Sequence, residues 1–420
     1  MRRKRLLFVE QNRDGTVGGS HQGLLTLVEH LDRSLFEPVV GFYERHALLD
    51  EFLACSRVVL LPVHEPVRFG NRYGGLTRLA AVATRKGVNL TRAHVAALSR
   101  MAQVVTQVRP DLIYLNNGVR PGAEWPMIAR LCGARFLIHQ CGFVPPPRYA
   151  SRFDHILCVS RAIEAHLLAA APALKDKLVQ IYDGLDMDKV RQRARAGDPA
   201  ALRRELGVKE GEFLIGLVGN IQAWKGQDVL MRALPLLSTK KPWRCLFIGA
   251  VPTDAKSQAF NARLQELARS HALQDRVVFT GYRPDAPALM RLVDVVVNTS
   301  VEPDPMPFVV VEGLALGKPV IATNHGGPPE AIEHGRSGFL VPPGDAPALA
   351  ACLDRLLDSP ELGARVGAEA MVRVSEQFSL SRYVARVQDV FLSFWPELRG
   401  RTSQPEVALG SLAGVAEPDQ

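Results

Sequence analysis

The feature that most restricts the fold is an alternation, run twice along 420 residues, of short apolar strands with segments of helical period. Leu6 to Glu10 reads as a first strand, and Gly18-Gly19-Ser20 then opens a helix with apolar positions Leu24, Leu27, Val28 and Leu31. Further strands are predicted at Val39 to Tyr43, Val58 to Leu61, Leu112 to Leu115, Phe136 to His139, Ile156 to Ser160 and Val179 to Tyr182. Thr77 to Val108 is rich in Arg and Ala at helical spacing and reads as two helices. A second series places strands at Phe213 to Val218, Cys245 to Ile248, Val277 to Phe279, Val295 to Asn298 and Val320 to Ala322. Between the two series, the polar, Arg-rich stretch Lys189 to Ala200 reads as a connection between domains. Two such series predict an α/β chain of two Rossmann-like domains with parallel sheets, facing each other across a cleft. Ligands then bind outside the carboxyl ends of the strands.

Composition excludes several classes. With 47% hydrophobic and 22% charged residues the chain is neither disordered nor collagen-like. No charge-free apolar run approaches 18 residues, so no membrane span is expected. The run Leu6-Leu7-Phe8-Val9 is too short for a signal-peptide core. Six cysteines include no C-x-x-C pair, which argues against a zinc site or disulfide framework and for reduced thiols in the cytoplasm. The net charge of +8 is carried by residues 1–190, with 25 Lys/Arg against 17 Asp/Glu, while the remainder is balanced. A basic half without a span leaves open peripheral docking on an anionic membrane surface; a well-solvated basic surface is the equal alternative.

The strongest motif is Ser300 to Thr323, SVEPDPMPFVVVEGLALGKPVIAT. A loop rich in proline (Pro303, Pro305, Pro307) leads into a helix, and prolines donate no N–H. The amides of Met306, Phe308, Val309 and Val310 are therefore the available donors at its start, a ready anion site. Asp304 before the loop and Glu312 inside the helix can hold a polyhydroxylated ligand while the amides hold its phosphates. Taken singly, Asp304 reads as a helix cap and Glu312 as a solvated helix face. The second motif, Val218 to Asp228 (VGNIQAWKGQD), follows a strand: Gly219 permits close approach of a ligand and Lys225 supplies a point charge for phosphate.

With these residues the chain resembles the family 4 retaining glycosyltransferases of GT-B fold, the glycosyl transferases group 1. Asp304 and Glu312 match the two ends of that family's E-x7-E element, with Asp for the first Glu and Glu302 as a competing candidate. The resemblance implies that the first acid contacts the donor sugar near its reacting centre and that Glu312 holds the ribose hydroxyls. In the family's phosphate-clamping loop this chain keeps Lys225 but has Asn220 at the Arg position. Gly18-Gly19 resembles the N-terminal glycine turn near the donor phosphate. His139 is implied to touch a sugar hydroxyl, the alternative being a satisfied buried histidine. Gly281 and Tyr282 match the stretch lining the nucleobase pocket, and His325 to Glu330 and Gly338 to Asp345 match the family's C-terminal domain.

The resemblance further implies an acceptor-binding domain over 1–188 and a nucleotide-sugar-binding domain over 189–379. A helix over 380–398 would return to the first domain, followed by a flexible tail over 399–420. The expected activity is transfer of a hexose-type sugar from a nucleotide diphosphate sugar to a glycan or lipid-linked acceptor. Retention of configuration and polysaccharide or lipopolysaccharide biosynthesis go with it, with no cofactor and no nucleic-acid partner. Asp186-Met187-Asp188 spells the metal motif D-x-D of another fold; here it reads as a turn and helix start, so no divalent metal is expected. A nucleotide-sugar epimerase or a non-catalytic sugar-nucleotide-binding protein are the alternatives.

Overall fold

The computed structural model describes residues 2–12, 17–61, 92–118, 124–147 and 149–401. The first domain is built on a parallel sheet of β1 (Lys4–Glu10), β2 (Phe36–Phe42), β3 (Arg57–Leu60), β4 (Leu112–Asn116), β5 (Arg135–Gln140), β6 (His155–Cys158) and β7 (Leu178–Gln180). Their spatial order is β3-β2-β1-β4-β5-β6-β7. The second sheet comprises β8 (Phe213–Val218), β9 (Trp243–Ile248), β10 (Val277–Gly281), β11 (Val295–Asn298), β12 (Val320–Thr323) and β13 (Phe339–Val341), in the order β10-β9-β8-β11-β12-β13. In each sheet the winding reverses beside its first strand, between β1 and β4 and between β8 and β11. Such switch points open a crevice at the carboxyl ends.

The strands are apolar without alternation because both sheet faces are covered. Along β1, Leu7 and Val9 join one cluster with Met101, Val105 and Val108, while Leu6 and Phe8 join another with Leu24, Leu27 and Val28. That second cluster is completed by helix Leu380–Ser393, whose Tyr383, Val387 and Phe391 pack under the first sheet. The Phe391 ring meets Phe8 and Phe36 edge-on, with centroids 6.3 and 5.7 Å apart. The C-terminal helix thus returns to the N-terminal domain. The return is tied by Leu185 N–H to Phe378 O at 2.9 Å and by Asp32 N–H to Gln388 Oε1 at 2.7 Å.

The structure corrects one reading and adds a strand. Lys189 to Ala200 is not a bare connection: Met187–Arg195 and Pro199–Glu205 are helices, the first capped by Asp186 accepting from Lys189 N–H at 2.9 Å. Val190 and Ala194, four apart, are buried against the second domain while the arginines face outward. β13 adds an edge strand within the Gly338 to Asp345 stretch. Of Thr77 to Val108, only the helix Arg92–Val108 lies among the described residues. Residues 62–91, the middle of the basic segment, lie outside them, as does the tail beyond 401. Among the described residues no helix is long and apolar enough to cross a membrane.

Candidate active site

The loops after β8 and β11 meet at the second sheet's switch point. Val301 N–H donates to Trp224 O at 2.8 Å, and the Thr299 hydroxyl to Lys225 O at 3.0 Å. Gly226 makes this approach possible: its φ is +64°, and a Cβ there would sit 2.1 Å from Thr299 O. The stitched loops bring Lys225 Nζ to 2.7 Å from Asp304 Oδ2 and 4.0 Å from the Trp224 ring centroid. Asp304 is 5% exposed, whereas Glu302 is exposed. Of the two acids, it is therefore Asp304 that is buried against Lys225. The Gly326-Gly327 turn braces it from behind, with Gly327 N–H donating to Asp304 O at 2.8 Å.

Helix Phe308–Ala315 starts immediately beyond, capped by Pro307 with no side-chain bond. The amides of Met306, Phe308 and Val309 have no acceptor among the described residues. Val310, expected as a fourth free donor, instead bonds Pro307 O at 3.0 Å, because it already belongs to the first turn. Glu312 lies one turn inside the helix, where burial pushes its carboxyl up to about 7, with Arg193 pulling only partly the other way. Gly219, with φ +149°, and exposed Asn220 end β8, and Gly281 and the 75% exposed Tyr282 end β10. Backbone bonds join these ends through the β9 loop: Ile221 N–H to Ala250 O at 2.8 Å and Gly249 N–H to Gly281 O at 3.0 Å.

The first domain faces this helix start with its own glycine turn. A Cβ on Gly19 would lie 2.8 Å from Phe308 Cδ2, so the two domains touch here, and Gly18 is exposed at the rim. Met306 packs against the cores of both domains. Behind the turn lies a buried polar group at the carboxyl ends of β1, β4 and β5. Asn116 Nδ2 donates to Glu10 Oε2 at 2.6 Å, and His139 Nδ1 lies 3.2 Å from Asn116 Oδ1. His139 Nε2 is 3.1 Å from Asp183 Oδ1, a charge contact out of line for a hydrogen bond. Burial opposes charging of His139, yet the Cys141 and Asp183 neighbours outweigh it and hold the ring protonated well above its ordinary range.

The structure thus gathers Lys225, Asp304, Met306, Phe308, Val309 and Glu312 around one helix start, with Gly18 and Gly19 opposite. His139 sits deeper, 3% exposed, with its ring nitrogens facing Asn116 and Asp183. Gly219, Asn220, Gly281 and Tyr282 line the neighbouring strand ends. Sequence reasoning gave Asp183 no role, and placed Glu330 at the end of the His325 to Glu330 stretch without naming its partners. Glu330 accepts from the amides of Arg161 and Ala162 at 2.8 and 2.9 Å and from the Tyr182 hydroxyl at 2.8 Å, joining the domains. Each finds its partners only through the fold.

Residues 198–373 match the family model for glycosyl transferases group 1. The N-acetyl-alpha-D-glucosaminyl L-malate synthase of Bacillus anthracis is 29% identical over 315 residues, 71% of this chain and 78% of the relative. The D-inositol 3-phosphate glycosyltransferase of Streptomyces scabiei is 32% identical over 246 residues, 57% of this chain and 53% of the relative. Among solved structures, Anabaena Alr3699/HepE in complex with UDP-glucose superposes with a TM-score of 0.73 at 21% identity, covering 93% of this chain and 99% of that one. A glycosyltransferase from Rickettsia africae ESF-5 gives 0.77, also at 21% identity, covering 94% and 99%. Two parallel-sheet domains meeting at their switch points give the chain the GT-B fold, and its second domain carries the match to the glycosyl transferases group 1.

Proposed function

We propose that the protein moves a hexose-type sugar from a nucleotide diphosphate sugar to a glycan or lipid-linked acceptor, retaining anomeric configuration and using no divalent metal. The observation that carries this reading is the Lys225–Asp304 pair at 2.7 Å, set beside the unbonded amides that open helix Phe308–Ala315. A departing nucleoside diphosphate develops negative charge, and a fixed ammonium with free amides stabilises it without reorganisation. Lys225 is held over the Trp224 face by Asp304, so little side-chain entropy remains to be lost when phosphate arrives. Asp304 then orients the sugar and favours positive character at its anomeric carbon, and Glu312 accepts from ribose hydroxyls. Likeness to a protein known in complex with UDP-glucose supports a nucleotide-sugar donor.

Retention follows if the leaving phosphate takes the acceptor proton on the same face, a route that asks no protein base. The basic excess in residues 51–150, 13 Lys/Arg against 4 Asp/Glu, favours an anionic acceptor or the membrane face carrying it. Such an acceptor belongs to polysaccharide or lipopolysaccharide assembly in the cytoplasm. K225A is expected to lower turnover about 100-fold or more, as loss of a preorganised charge-stabilising group does, and E312A by about as much because a donor whose ribose is not held is misplaced. Near-wild-type turnover in both would remove the assignment. Product anomer analysis by NMR checks retention, and full activity in EDTA checks metal independence.

A further inference from the structure

A second cavity, of about 580 Å3, lies where the domains join, and no residue given a donor role above lines it. Its walls include Arg161 at the start of helix Arg161–Ala170, Arg373 on helix Pro360–Gln377, and Arg382 and Arg386 on helix Leu380–Ser393. Three separate elements thus turn four guanidinium groups onto one concave surface. They converge on the Tyr182 side chain, which lies within electrostatic reach of Arg161, Arg373 and Arg386.

The local acids absorb only part of this charge, Glu333 through an ion pair of 3.8 Å with Arg373. Glu330, also in the wall, has both oxygens engaged by the Arg161 and Ala162 amides and the Tyr182 hydroxyl. Glu376 makes no side-chain hydrogen bond among the described residues, and the charge of Asp389 only partly offsets what lowers the Arg386 pKa. Arg373 spends two N–H groups on the carbonyls of Ala331 and Glu330, and Arg382 one on Glu376 O. The guanidinium groups of Arg161 and Arg386 have no hydrogen-bond partner among the described residues. Arg386 is half-buried, and burial together with the Arg382 charge lowers its pKa. A partly desolvated guanidinium beside a second one is costly until an anion completes it.

We propose that this cavity binds a small soluble anion bearing a phosphate group, gripped by the forks of Arg161, Arg382 and Arg386. Planar guanidinium groups match phosphate oxygens in pairs, and a concave, mainly polar wall suits a compact ligand. Because both domains line the cavity, an occupant favours the interdomain arrangement described here, so anion concentration biases closure of the donor cleft.

The test uses inorganic phosphate titrated into the intact chain, with sodium chloride at matched ionic strength as reference, followed by thermal melting and calorimetry. Wild type and K225A are both expected to show a saturable rise of a few degrees, because Lys225 does not line this cavity. R382A/R386A is expected to bind phosphate about 100-fold more weakly and to lose the rise. R161A provides a second variant on a different helix, should the double variant fail to fold. A saturable rise retained in the folded variants, a rise abolished by K225A, or no response beyond chloride would overturn the proposal. Sedimentation with phosphatidic acid vesicles but no response to free phosphate would assign the arginines to a lipid headgroup, and would likewise overturn it.

Discussion

Glu312 shows how one side chain couples the site to pH. Its carboxyl titrates near 4.3 in an unfolded chain and is pushed up to about 7 by burial, so the native state holds a proton that the unfolded state has lost. Between those two values stability therefore falls as pH rises. E312Q removes the titration and is expected to be more stable than wild type near pH 8 by about 1–3 kcal/mol, with little difference near pH 4. Urea denaturation at both values checks this, and equal slopes in the two proteins would refute it. Donor binding carries the opposite sign, because hydroxyls donate best to the ionised carboxylate; donor KM should rise as pH drops below about 7 in wild type only. Asp304 and Glu312 were legible because one contiguous motif holds both. Asp183 was not, since it lies in the loop after β7 while its partner His139 sits on β5, and no spacing in the sequence joins them.

At the scale of elements, the site depends on loops that only glycine lets come together. G226A would place a methyl group 2.1 Å from Thr299 O at a φ of +64°, forcing apart the loops that carry Lys225 and Asp304. The expected cost is about 1–3 kcal/mol in stability, measured by denaturation, with turnover falling toward that of K225A. Wild-type stability and rate together would mean that the loops do not need this contact. Almost every strand was readable as an apolar run, because buried parallel strands advertise themselves along the chain. The helix Met187–Arg195 hid behind its arginines: only Val190 and Ala194 face inward, too sparse a stripe to outweigh a polar composition. β13 was hidden by its shortness, three residues from Phe339 to Val341.

For the molecule as a whole, Glu330 is the clearest tie between domains, a carboxylate of the second domain capping a helix of the first. E330A leaves two amides and the Tyr182 hydroxyl without their acceptor, at an expected cost of about 2–4 kcal/mol. Calorimetry should then resolve two unfolding transitions where wild type shows coupled ones; a single unshifted transition would argue that the tie carries no cooperativity. The return of helix Leu380–Ser393 bears on the order in which the chain can fold. The floor beneath Leu6, Phe8 and Phe36 is laid by Tyr383, Val387 and Phe391. On the ribosome the earliest sheet thus emerges without its floor and waits for nearly the last helix, while the later sheet needs nothing from beyond its own segment. Completion runs opposite to synthesis: the domain made first is the one finished last.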